Sequence, residues 1–246
     1  MIIRKLKEED IDSCISVCQE CFNIEGYSYN TRFENQFKEG YITPEFYVCE
    51  IDNNIVGVMG LSGCGFDSSV FSMCTAYIKP DFQKKGIGKT LLEEVFKNTS
   101  DRAGVITVAM EGEDWMPILF FEKFGFQKIK ELPFKSHLLI KKYYEVPNPE
   151  ILKPTFEHKK RDDKVVVEVV MDMFCPFGRV WDEKIIKVIE EYKDKVEIII
   201  YKHQTREDVL KYGFNTVYID GDEPFYGPVS SDEIRKIIDQ YIIKKI

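Results

Sequence analysis

"AYIKPDFQKKGIGKTLL" (Ala76–Leu92) decides how this 246-residue chain is read. An apolar stretch, Val70–Lys79, stops at Pro80, and two glycines and three lysines follow between Gln83 and Lys89. Leu91, Leu92, Val95 and Phe96 then fall on one face of a helix predicted over Gly88–Asn98. A plain strand-to-helix turn needs one glycine at most. The first N–H groups of a helix lack intrahelical partners and sit at the positive end of its dipole, which makes them an anion site. Gly86 and Gly88 take away the Cβ atoms that would hold a phosphate off, and Lys84, Lys85 and Lys89 add positive charge. The loop reads as a phosphate cradle, most simply for a pyrophosphate. It is neither a G-x-x-x-x-G-K-[ST] loop nor a full dinucleotide fingerprint, since only G-x-G is present.

The elements around this loop alternate. Strands are predicted at Ile2–Leu6, Phe46–Ile51, Ile55–Leu61, Val70–Lys79, Gly104–Met110 and near His137–Lys141. The "DNN" at Asp52–Asn54 marks a hairpin between the second and third. Helices are predicted near Glu9–Cys21, Thr31–Lys38, Gly88–Asn98 and Met116–Phe124. The first part is therefore α/β, with an antiparallel front half and one strand–helix–strand crossover behind the glycine loop.

Charge and composition narrow the function. Lys and Arg number 34 against 42 Asp and Glu, a net charge of −8, which argues against nucleic acid as the main partner. The apolar runs are too short to span a bilayer, and "MIIRKLKEED" lacks the apolar core of a signal peptide. No membrane association and a cytoplasmic location are expected. The seven cysteines form no framework and read as free thiols. Cys14, Cys18 and Cys21 share a helical face with Ile11 and Ile15, so they read as core, not as metal ligands. His137, His158 and His203 are too scattered for a metal site and read as structural or solvated.

The proline-containing, charged stretch "EVPNPEILKPTFEHKKRDDK" (Glu145–Lys164) divides the chain. We place one domain at 1–145, a linker at 146–164 and a second domain at 165–246. The second reads as strand (Val165–Met171), helix (Arg179–Tyr192), strand (Val196–Lys202), helix (Arg206–Tyr212), strand (Thr216–Asp220), strand (Glu223–Tyr226) and helix (Ser231–Ile243), a βαβαββα order. "DGDE" at Asp220–Glu223 is a hairpin turn. Cys175 falls between an apolar strand and a helix, where a thiol is made more acidic.

The Gln83-x-x-Gly86-x-Gly88 pattern, the preceding Ile78-Lys79-Pro80 and "FFEKFGF" (Phe120–Phe126) together resemble the motifs of the GNAT N-acetyltransferases. The order of elements is similar over Met1–Tyr144. The resemblance implies a mixed-sheet acyl-CoA-binding domain that moves an acetyl group from acetyl-CoA to a primary amine by direct attack. It implies that Gln83, Lys84, Lys85, Gly86, Ile87, Gly88 and Lys89 belong to the cofactor site, with the backbone N–H groups from Lys84 to Lys89 holding the pyrophosphate. It implies that Ala76, Tyr77 and Ile78 pair with the pantetheine arm as an added strand. An N–H of Ala76 or Tyr77 would stabilise the oxyanion. The whole arrangement resembles acetyltransferases with a C-terminal YoaP-type, thioredoxin-like domain, through which a protein partner could dock. The thioredoxin motif C-x-x-C is here Cys175-Pro176-Phe177-Gly178, without the resolving thiol.

Phe121 stands where many family members carry a proton-donating tyrosine, and Asp114 where an asparagine is frequent. Glu111, Glu113 and Asp114 follow the strand Gly104–Met110 at the end where the acceptor would enter. They are candidates for a general base or for holding a cationic amine, and equally a solvated acidic loop. Two other readings stand beside the enzyme: a non-catalytic CoA-binding sensor or interaction module, and a monothiol redox protein using Cys175.

Overall fold

A computed structural model describes residues 1–21, 46–62, 69–112, 117–132, 136–150, 153–172, 176–203, 206–213, 217–224 and 230–245. The helix expected near Thr31–Lys38 and the redox candidate Cys175 lie outside them.

The first unit holds a seven-stranded sheet. Its strands are β1 (Ile2–Lys5), β2 (Phe46–Ile51), β3 (Asn54–Ser62), β4 (Val70–Ile78), β5 (Gly104–Met110), β6 (Gln127–Leu132) and β7 (Ser136–Lys142). They lie in the order β1-β2-β3-β4-β5-β7-β6. Only β4 and β5 run parallel, and the helix between them, α2 (Ile87–Asn98), makes the crossover that such a pair needs. Asp52 and Asn53 both take positive φ, 49° and 60°, and close β2 onto β3 with a two-residue hairpin.

Each face of the sheet meets its own helices. On one face Ile87, Leu91, Leu92 and Val95 of α2 pack with Val105, Ala109 and Leu139, joined by Ile118 and Phe121 of α3 (Ile118–Lys123). On the other, α1 (Ile11–Cys21) buries Ile11, Cys14, Ile15, Val17 and Cys18 against Leu6, Phe46, Val48, Val58 and Tyr77. The cysteine face is thus core packing. Arg4 clasps the start of α1 through Asp10, at 2.5 and 2.9 Å, and also bonds Glu50 at 2.9 Å. Strand β6 was not expected from sequence.

The second unit has a three-stranded sheet, ordered β10-β8-β9, made of β8 (Val165–Asp172), β9 (Val196–His203) and β10 (Val217–Ile219). β8 and β9 are parallel and β10 is antiparallel to β8. Helices α4 (Pro176–Ile189) and α6 (Ser231–Lys245) cover one face through Ile185, Val188, Ile189, Ile234 and Ile238. Helix α4 begins at Pro176, three residues before the expected start, a first-turn position that proline tolerates well. The Asp220–Gly221 turn forms, but the strand expected over Glu223–Tyr226 does not follow in Glu223 and Pro224. Only a single bridge, Ile219 to Asp222, continues the pairing, and 225–226 lie outside the described residues.

The expected linker is also corrected in part. Residues 153–164 pack on the second sheet's other face, with α5 (Arg206–Tyr212). Thr155 and Phe156 donate their N–H groups to the Lys211 carbonyl at 2.9 and 3.2 Å. The Phe156 ring sits among Tyr201, Tyr212 and Tyr218, with centroids 5.2 to 5.8 Å away. Proline and charge in this stretch mark an irregular backbone, not an unpacked one.

Candidate active site

The parallel pair β4 and β5 is only half paired. Register runs from Val70 opposite Gly104 to Met73 opposite Thr107, where the Thr107 hydroxyl donates to the Met73 carbonyl at 3.4 Å. Beyond that rung each strand stays tied to its outer neighbour. β4 continues on β3 to Ile78 opposite Gly57, and β5 continues on β7 to Met110 opposite Ser136. A gap therefore opens between Ala76–Ile78 and Val108–Ala109, while Met110 is bridged to Pro117 just ahead of α3. Its cause lies in the chain: Thr75 faces Gly60 but Met73 faces Leu61, so Cys74 is an extra residue in β4. Such a bulge bends its strand and increases the local twist.

Alternation then decides what β4 offers to the gap. Lys79 donates its N–H to Val56 of β3 at 2.9 Å. Residues two apart point their backbone groups the same way, so Tyr77 also faces β3. Ala76 and Ile78 point their N–H and C=O groups into the gap. Of the three residues expected to take an added strand, these two present the backbone for it. The Tyr77 side chain is buried under α1.

The glycine loop closes the open end. A 3₁₀ turn at Pro80–Phe82 leads to Gln83, then Lys84 at φ 58° and Gly86 at φ 84°. Gly86 is the N-cap of α2, and no side chain caps the helix there. The first helical bond is Thr90 N–H to the Gly86 carbonyl, 3.1 Å. The N–H groups ahead of it are left for an outside acceptor. The two glycines do different work. A Cβ on Gly86 would meet open space, so glycine serves the left-handed backbone. A Cβ on Gly88 would lie 3.2 Å from Ile78 Cδ1 and 3.3 Å from Phe120 Cζ, so glycine serves the close seating of α2. Lys84, Lys85 and Lys89 are exposed around this end. The Lys85 ammonium stands 5.1 Å from the Phe82 ring centre, and that of Lys89 lies 3.8 Å from Glu93.

Glu111 follows β5 directly. Its carboxylate accepts from Lys128 at 3.3 Å and lies 2.9 Å from His137 Nε2. Lys128 first, and His137 second, hold it below the usual carboxylate range, so it stays ionised and is a weak proton acceptor. Glu113 and Asp114 lie outside the described residues. Phe121 is 1% exposed, edge-on to Phe120 and Phe126 with centroids 5.2 and 5.3 Å apart. It is core and carries no proton. Sequence reasoning missed His137 as a partner of Glu111. Only the pairing of β7 with β5, Ala109 opposite His137, brings them together.

Residues 43–128 match the family model described as acetyltransferase (GNAT) domain. Among solved structures, the first unit's fold is similar to the aminoglycoside 6'-N-acetyltransferase from Enterococcus faecium, at 14% identity and TM-score 0.51 over 60% of this chain and 100% of that one. It is similar to a protein from Pyrococcus horikoshii OT3, at 22% identity and TM-score 0.51 over 58% and 98%. It is similar to an aminoglycoside 6'-N-acetyltransferase solved in complex with coenzyme A, at 14% identity and TM-score 0.50 over 60% and 100%. The curated proteins compared with the chain include no match. The parted strands and the uncapped glycine loop thus fall inside the stretch, residues 43–128, that matches the acetyltransferase (GNAT) domain model.

Proposed function

We propose that the protein transfers an acetyl group from acetyl-CoA to a primary amine. The observation that carries this is the gap between β4 and β5 opening beside the uncapped start of α2. One part suits an extended arm with amide groups, the other a pyrophosphate. The arm lies along Ala76 and Ile78 as an added strand, with the phosphates on the N–H groups of Lys84–Lys89. The acceptor nitrogen attacks the thioester carbonyl carbon, and a C–N bond forms. The oxyanion accepts a hydrogen bond from the Ala76 N–H, the carbonyl re-forms as the C–S bond breaks, and the thiolate takes the proton released by the newly acylated nitrogen, relayed by water. Glu111, with Glu113 and Asp114 close behind it in sequence, holds the acceptor's ammonium until it loses its proton to water. We place the reaction in the cytoplasm, in keeping with the free thiols of Cys14, Cys18, Cys21 and Cys49.

We read the second unit as a thioredoxin-like platform for a protein partner. The order β10-β8-β9, with one parallel and one antiparallel pair, supports that reading.

The test is calorimetric titration of acetyl-CoA into the parent, Gly86→Asn and Gly86→Asp. Both residues tolerate the left-handed backbone, so folding is matched. The aspartate puts a carboxylate over the free N–H groups. The parent and Gly86→Asn should bind, and Gly86→Asp should lose at least about tenfold, since a charged hydrogen bond is worth about 1.5–3 kcal/mol. A parent that does not bind overturns the reading.

A further inference from the structure

The last carbonyl that β4 offers to the gap is already occupied. Ile78 C=O accepts two side-chain donors, Gln83 Nε2 at 3.0 Å and Cys21 Sγ at 3.1 Å. Neither belongs to a strand. Cys21 ends α1, is half-buried, and is fixed by its helix. Gln83 is exposed and sits between the 3₁₀ turn and Lys84. Its backbone is held by an N–H bond to the Pro80 carbonyl, 3.2 Å, so its side chain can leave Ile78 without moving the loop. One residue thereby joins the two halves of the donor site, the strand backbone and the anion loop.

We propose that Gln83 stands in for the acyl donor. Its carboxamide N–H satisfies the Ile78 carbonyl in the free protein and yields that acceptor to an amide N–H of the donor's extended arm. The inference rests on reading the gap as the acyl-CoA site. The exchange is matched in kind, because both donors are amide N–H groups and one carbonyl is satisfied before and after. Without Gln83 the carbonyl keeps the Cys21 thiol, a weak donor that an amide N–H of the arm can outcompete. The free-state bond opposes binding, so Gln83 sets donor affinity and selects for an arm able to replace it. It is a positioning residue and touches no reacting atom.

The test titrates acetyl-CoA, and separately adenosine 3'-phosphate 5'-diphosphate, into the full-length parent, Gln83→Ala and Gln83→Met. The nucleotide carries the phosphates but no arm. The methionine keeps side-chain length without a donor. Both variants should bind acetyl-CoA about fivefold more tightly, the factor for one net hydrogen bond, with the arm-less nucleotide unchanged. Weaker or unaltered acetyl-CoA binding, or an equal shift for both ligands, overturns the proposal. A parent that binds both ligands while the variants fail this pattern removes only the role of Gln83. A parent that binds neither removes the acyl-CoA reading with it.

Discussion

His158 Nδ1 lies 2.7 Å from Glu168 Oε2, which ties a stretch of irregular backbone to a carboxylate inside the second sheet. Glu168 is 1% exposed in the middle of an otherwise valine-rich strand. Its other oxygen accepts the Tyr201 hydroxyl at 3.1 Å and the Lys159 N–H at 3.3 Å. A buried carboxylate is tolerated only when bonded in this way. Removing the imidazole leaves one oxygen short of a donor. We expect His158→Ala to lower stability by about 2 kcal/mol, and urea midpoints followed by circular dichroism will read it.

The same contacts set where the second unit begins. A fragment starting at Lys153 keeps Phe156, His158 and the Arg161 bond to Glu197, 2.9 Å. One starting at Val165 exposes the Tyr201–Tyr212–Tyr218 face and strands Glu168. We expect a cooperative thermal transition from 153–246 and none from 165–246. Equal melting of the two would show that the stretch is dispensable.

At the other end of the chain, the Arg4 guanidinium, and after it the Lys7 N–H, hold the buried Asp10 carboxyl below its ordinary range. The unfolded chain has an aspartate near about 3.9. The folded value is lower, so the stabilisation is fully present above the unfolded value and is lost as pH falls through the folded one. Asp10→Asn should cost about 2 kcal/mol at neutral pH, and its stability should fall less steeply than the parent's below about pH 4. Parallel acid curves for the two proteins would rule this out.

Periodicity and the glycine loop made most of this fold legible. Strands with alternating or continuous apolar residues and helices with one apolar face could be read directly. β6 could not, because Gln127, Lys128, Lys130 and Glu131 are exposed on a sheet edge and carry almost no apolar pattern. The glycines and lysines of the loop were readable for the same reason, since their spacing is local. The Glu111–His137 pair and the Gln83–Ile78 bond were not. The first depends on strand pairing across 26 residues, and the second on where one exposed side chain turns.

Glu111 offers a pH test of its role. Held below its ordinary range by Lys128 and His137, it remains a carboxylate across the neutral range. It can attract a cationic amine there but does not titrate there. We expect Glu111→Gln to raise KM for a cationic acceptor while the acid limb of kcat/KM between about pH 5 and 8 stays in place. Disappearance of that limb would instead make Glu111 the base.

The resemblance to the GNAT motifs puts Phe121 where a tyrosine is expected to supply a proton, and restoring the hydroxyl is the obvious experiment. The geometry argues that it will fail. The ring is 1% exposed and packed edge-on against Phe120 and Phe126. A hydroxyl added there enters a close-packed cluster that includes Leu92, Val95 and Ile118. Burying it unbonded costs about 1–3 kcal/mol. Phe121→Tyr should therefore lower the melting temperature without raising kcat with any amine that the parent acetylates. A gain in kcat would mean that the α3 face opens toward the thioester during turnover, and the leaving thiolate's proton would then be assigned to this position.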